Sequence, residues 1–123
     1  MFQLAHDKGV GVLVRSILLQ GALTARAEHL PAKCGPLIDR SRRFRTLVAE
    51  NLPGLSPAQV AIAFGLAEEQ IGSVLVGMRS EDELQENLQA VEARLPTSLL
   101  AELRGLRLDD SELLNPGTWF AED

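Results

Sequence analysis

The sequence predicts an α/β fold with parallel strands joined through helices, on three observations. Two short apolar runs, at residues 10–14 and 73–76, have the length and β-branched content of strands. Helical patterns fill the interval between them, which implies parallel pairing through a right-handed crossover. The second run, Val74-Leu75-Val76, turns at Gly77 into a charged amphipathic helix. The resulting βαβα order resembles two consecutive units of a (β/α)8 barrel, whose active face lies at the C-terminal ends of the strands.

Residues 2–8 read as the last turns of a helix, because Lys8-Gly9 is a C-terminal signature. A chain that opens on a helix end looks cut into. The strand at 10–14 is followed by a structured loop at 17–23, apolar but interrupted by Gln20 and Gly21. Residues 24–39 show no clean period and hold Pro31, Gly35 and Pro36, which break regular structure. A helix is expected over 40–52, with Phe44, Leu47, Val48 and Leu52 on one face. Ser56-Pro57-Ala58-Gln59 is a capping box with proline in the first helical position, opening a helix to about residue 69. Its small apolar face, with Ala61, Ala63 and Ala67, suits close packing on a sheet.

The unbroken run Val74-Leu75-Val76 suits a strand covered on both faces. Ser80 and Glu83 form a Ser-x-x-Glu capping box, so the next helix is expected over 81–94, ending before Pro96. A short helix over 98–105 and an acidic tail over 108–123 follow, in which Trp119 and Phe120 are expected to tuck inward. The strand-Gly-helix junction at 74–87 has the form of an anion site, since free N–H groups and the helix dipole favour a phosphate and Arg79 can add a bidentate contact; the motif is generic, and many such junctions bind nothing. Two parallel strands alone leave edges and apolar faces open.

Composition narrows the function classes. The chain of 123 residues fits a single domain, residues 1–123, and 46% apolar with 24% charged residues marks it as globular. A net charge of -5 argues against a nucleic-acid surface. The basic cluster at 40–45 reads as a solvated helix face. One cysteine, Cys34, excludes an internal disulfide and suits a reducing compartment, hence a cytoplasmic protein. Cys34 with only His6 and His29 makes a zinc site implausible, so no metal is expected. No apolar run is long enough to span a bilayer, and Asp7 and Arg15 count against a signal peptide in the first 27 residues. There is no tyrosine.

Three segments, in order, are similar to the aldo-keto reductase family: residues 8–24, residues 55–63, and Val76-Gly77-Met78-Arg79-Ser80 with Leu84-Gln85-Glu86-Asn87. The tail Leu113-Leu114-Asn115-Pro116-Gly117-Thr118-Trp119 also resembles branches of that family. The resemblance covers nearly the whole chain. It implies the C-terminal part of a (β/α)8 barrel, its strands resembling the seventh and eighth, and NADPH-dependent carbonyl reduction by the whole enzyme. It further implies Ser16, Leu18 and Gly21 along the pyrophosphate of the cofactor. Gly77, Met78, Arg79 and Ser80 would surround the ribose phosphate, and Glu86 and Asn87 would face the adenine.

Two positions depart from the family pattern. Ile17 stands where the family often has proline. Glu83 stands where it often has Arg or Gln near the 2′-phosphate, and a carboxylate there repels a phosphate unless Arg79 screens it. The plain reading of Glu83 is a capping residue pointing back to Ser80, and the choice of NADP over NAD stays open. The family's catalytic Asp, Tyr, Lys and His come from earlier strands, so no catalytic residue is assigned, and carbonyl reduction by this chain alone is not expected. His29 is expected to be exposed. An alternative is an interaction module that completes its sheet by self-association or with another chain.

Overall fold

The computed structural model describes residues 2–121. Helix α1 (Phe2–Asp7) leads to strand β1 (Leu13–Arg15), then to helices α2 (Gly35–Asn51) and α3 (Pro57–Leu66). Strand β2 (Ser73–Leu75), helix α4 (Glu81–Glu92) and helix α5 (Thr97–Arg104) follow. The strands pair in parallel, Leu13 with Ser73, Val14 with Val74 and Arg15 with Leu75. This is the expected α/β arrangement of two parallel strands and their helices.

Strand β1 starts at Leu13, later than the expected residue 10, and the end of α1 takes up Val10. Gly9 adopts φ +65°, and the N–H groups of Gly9 and Val10 donate to the carbonyls of His6 and Ala5 at 3.0 and 2.8 Å. These are the two bonds of a Schellman cap. Val10 is thereby committed to the helix end.

Residues 24–39 are more ordered than their composition suggests. Short 3₁₀ turns occupy Ala25–His29 and Ala32–Cys34, and α2 already begins at Gly35. Pro36 lies in the first turn of α2, where its missing N–H would have had no intrahelical partner. Glu28 joins the first of these turns to α2: Arg42 Nη2 lies 2.6 Å from its carboxylate, and Arg45 also donates to it. Those two guanidiniums hold the Glu28 carboxyl well below the usual range, at about 2. The basic cluster is therefore a tether as well as a solvated face. Two helices end earlier than the periodicity implies, α3 at Leu66 and α4 at Glu92. After α4 the chain turns extended at Ala93 (ψ 136°), and Leu95 packs against the core.

The main core joins Phe44, Leu47 and Val48 of α2, Val60 and Ala61 of α3, and Leu99 and Leu103 of α5. A smaller cluster holds Ala22, Cys34, Leu37 and Trp119. Trp119 is buried, and its indole N–H donates to the Leu113 carbonyl at 2.9 Å. Phe120, expected to tuck in, is instead 72% exposed, since the turn that buries one aromatic directs its neighbour outward. The last two residues of the acidic tail lie outside the described residues.

Helix α3 lies close on the sheet through Gly65. A Cβ at that position would stand 2.9 Å from Ile17 Cδ1 and 3.3 Å from Val74 Cγ2. Val14 and Val74 are half-buried on this side. Alternation sends Leu13 and Leu75 to the other side, where they are 62% and 59% exposed. The expectation of a strand covered on both faces is therefore corrected: the helices cover one.

Candidate functional site

The turns at the C-terminal ends of the two strands lie side by side because the strands are parallel and in register. The first is tightly wound. Ser16, Leu19 and Gln20 have φ of 62°, 44° and 51°, and Gly21 has φ of 87°. Left-handed conformations at three non-glycine residues are costly and persist only where the surroundings fix them. Here Leu19 N–H bonds to the Ser16 carbonyl, and Gly21 N–H to that of Leu18, each at 2.8 Å. Ile17 anchors the turn beneath by its contact with the Gly65 position. Gly21 suits its place by its positive φ of 87°; a Cβ there would stand 2.9 Å from Cδ of the flexible Arg26 side chain, which would have to shift.

The second turn runs from Val76 to Ser80 and opens α4. Ser80 is the N-cap, its hydroxyl accepting from Glu83 N–H at 3.2 Å. The reciprocal half of the expected capping box differs. The Glu83 carboxylate bypasses Ser80 and accepts from the Arg79 N–H at 2.7 Å, with Arg79 Nη2 at 3.6 Å. Gly77 has open space where a Cβ would stand.

Between these turns lies a cleft of about 470 Å³, of ligand-pocket size. Seven of the nine residues assigned from the sequence line it: Ser16, Leu18, Gly21, Gly77, Arg79, Glu86 and Asn87. Met78 and Ser80 lie outside the lining. Met78 is turned to solvent, 43% exposed, and the Ser80 hydroxyl is spent on the helix cap.

The floor is set by α3 against α4. Gln59, buried at 5% exposure, takes the Ser56 N–H on its side-chain oxygen at 2.9 Å. Its amide donates to the Glu86 carbonyl and to Gln89 Oε1, both at 3.1 Å. The Ser56 hydroxyl donates to the Glu86 carboxylate, so one Glu86 oxygen is already engaged. The capping box that starts α3 thus also fixes where α4 presents Glu86 and Asn87.

Sequence reasoning missed Gln20, Thr24 and Arg26, which also line the cleft. The available signal was Thr24, whose hydroxyl accepts from Arg26 N–H at 3.3 Å and caps the following turn. His29 is exposed, as expected, and Cys34 is buried. Among the described residues no group of His, Cys, Asp or Glu has metal-binding geometry, and no helix is long and apolar enough to cross a membrane.

The fold and the cleft define a class: a βαβα unit of two parallel strands with a cleft at their C-terminal ends. The sequence model of the aldo/keto reductase family matches residues 1–107. The chain belongs to the aldo/keto reductase family, which implies a (β/α)8 fold, and two parallel strands with their helices are consistent with a partial barrel. Two curated relatives illustrate the match. L-galactose dehydrogenase of Arabidopsis thaliana is 30% identical over 107 residues, covering 87% of this chain and 30% of the relative. The uncharacterized oxidoreductase YrpG of Bacillus subtilis (strain 168) is 32% identical over 111 residues, covering 83% of this chain and 33% of the relative. The chain spans about a third of the length of these relatives.

Proposed function

We propose that residues 1–123 act as one partial unit of an aldo-keto reductase-like oxidoreductase, supplying the adenosine and pyrophosphate side of a nicotinamide dinucleotide site. The observation that supports this reading is the convergence on one cleft of Ser16, Leu18 and Gly21 with Gly77, Arg79, Glu86 and Asn87, from turns about 60 residues apart. The cleft fits the group in two respects. Arg26 and Arg79 place guanidiniums at its wall, Arg79 already in contact with Glu83, and Gly77 leaves open space for close backbone approach. The bound dinucleotide would supply hydride chemistry. The chain's own residues would bind and orient it, because the sequence contains no tyrosine to protonate a carbonyl oxygen. NADP is the cofactor the family resemblance favours, and a cytoplasmic location suits the single unpaired cysteine.

Titration with NADP⁺ and NAD⁺ tests this reading. The expected outcome is measurable heat and a higher melting temperature at millimolar ligand, as binding to the folded state requires. NADPH with a generic aldehyde should show no oxidation. Absence of heat and of stabilisation with both dinucleotides refutes the binding role, and turnover by a preparation free of contaminating reductase refutes the non-catalytic one.

A second reading has its own support. Leu13 and Leu75 are exposed on the open sheet face, and each strand has a single partner among the described residues. On this reading the chain is an interaction module whose sheet is completed by another copy or by a chain carrying further strands. A monomer that melts cooperatively at high dilution counts against it.

A further inference from the structure

We propose that a second cavity, on the helical side of the first turn, binds a small apolar monocarboxylate. It has a volume of about 380 Å³, within the range of ligand pockets, and lies between the end of β1 and helices α2, α3 and α5. It is separate from the cleft at the strand ends. Ser16, Ile17 and Leu19 line both, so the first turn is the partition between them. The dinucleotide reading of the cleft plays no part in the inference. The walls are largely apolar, with Phe44 and Leu103 from the buried core and the half-buried Phe64.

Two polar features select the chemistry of the ligand. The charged residues of the wall are Arg15, Arg40 and Arg107, with no carboxylate among the lining side chains. In a chain of net charge -5 this is a local reversal of sign. Arg107 is paired with Asp109 at 2.6 Å, but the guanidiniums of Arg15 and Arg40 form no ion pair among the described residues. A guanidinium in water whose stem borders an apolar cavity can hold a carboxylate while the body of the ligand leaves solvent. The second feature is Ser41. It belongs to the wall, it is 0% exposed, and its hydroxyl has no hydrogen-bond partner. A buried hydroxyl left alone is costly, and a ligand oxygen beside it would satisfy it. Apolar walls, two unpaired arginines and an unsatisfied hydroxyl fit a carboxylate on a short hydrocarbon body. They fit an organic cation badly.

The experiment titrates the whole isotope-labelled chain with octanoate and with octylammonium, which carry the same hydrocarbon body and opposite charge, and follows the backbone amide resonances. Octanoate is expected to give saturable shifts at Ser41, Phe44 and Phe64, and octylammonium none there. The double variant Arg15→Met with Arg40→Met keeps the apolar stems and removes both charges. It should bind octanoate about tenfold more weakly or worse, the scale of a lost charge-assisted contact. Arg43→Met removes a guanidinium that faces Glu102 and lies outside the wall, so it should change affinity by less than about threefold. Ser41→Ala should weaken octanoate several-fold while leaving the melting temperature of the free chain equal or higher, because it removes an unsatisfied buried hydroxyl. Any of four results overturns the inference: no saturable shifts with octanoate, equal binding of octylammonium, an affinity unchanged in the double arginine variant, or an equal loss in Arg43→Met. Shifts confined to Gly77 and Asn87, or to Leu13 on the open sheet face, also overturn it, by placing octanoate in the cleft or on that face. None of these results bears on the dinucleotide titration, which stands or falls separately.

Discussion

The two sides of the sheet are built from the same strands and treated in opposite ways. On one side Val14, Val74 and Ile17 lie against α3, with Gly65 giving the close approach, and behind α3 stand α2 and α5. On the other side Leu13 and Leu75 are mostly in contact with water. A helical layer with its own buried core can be specified within this sequence. A parallel sheet needs covering on both faces and neighbours along its edges. The cleft sits where the two regimes meet, on turns anchored by the packed side and opening at the strand ends.

The largest expected effect tests the packed side. Leu99 is 1% exposed at the centre of the main cluster, so Leu99→Ala should lose about 2–5 kcal/mol of unfolding free energy. Urea denaturation measures it. A loss below about 0.5 kcal/mol, the range of ordinary surface changes, would mean that the helical layer is not the stable part.

Next in size is the contact between the helical layer and the cleft. Gly65→Ala brings a Cβ within 2.9 Å of Ile17 Cδ1. Overpacking costs about 1–3 kcal/mol, and better helix propensity returns about 1 kcal/mol. A net loss of up to about 2 kcal/mol follows. Ile17→Val removes the offending methyl, so the double variant should be less destabilised than the sum of the singles. Strict additivity would show that Ile17 does not transmit packing from α3 to the first turn.

How much of this was legible in the sequence follows the range of the forces. Local chemistry read well: Gly9 and Ser56 end and start their helices by caps made within a few residues. The turns at both strand ends were also legible, since Gly21 and Gly77 mark them. Arg26 was not, because its place over Gly21 depends on a positive φ and on a 3₁₀ turn that composition hides. Pro36 misled because a proline that breaks a helix and one that starts it look alike until the N-terminus is known. Phe120 and the open sheet face misled for one reason: an apolar residue declares a preference for burial, not the presence of something to bury it.

A smaller effect lies at the edge of the packed side, where Glu28 ties the turn after Thr24 to α2. Its folded carboxyl titrates at about 2, against 4.5 for the unperturbed group. A folded pKa below the unfolded one means that the tether contributes fully above about 4.5 and is lost as pH falls toward 2. Wild type should therefore melt higher than Glu28→Gln at neutral pH, and the difference should shrink across that window. A difference that stays constant down to pH 2 would show that the ion pair with Arg42 and Arg45 adds nothing, as many exposed pairs do.

The smallest expected effect decides what the open side is. Leu13→Ser and Leu75→Ser remove apolar side chains that are 62% and 59% exposed, so each should change the stability of the isolated chain by no more than about 0.5 kcal/mol. Stability and association then separate. If the face stays bare in solution, dilution changes neither the melting temperature nor the effect of the substitutions. If strands of another chain cover it, wild type melts at a temperature that rises with protein concentration. Both serine variants should flatten that dependence, because a hydroxyl buried there would lack a partner. An unchanged concentration dependence in both variants would move the interface off the sheet face and leave the strand edges, whose backbone groups no side-chain substitution removes, as the place where the barrel is completed.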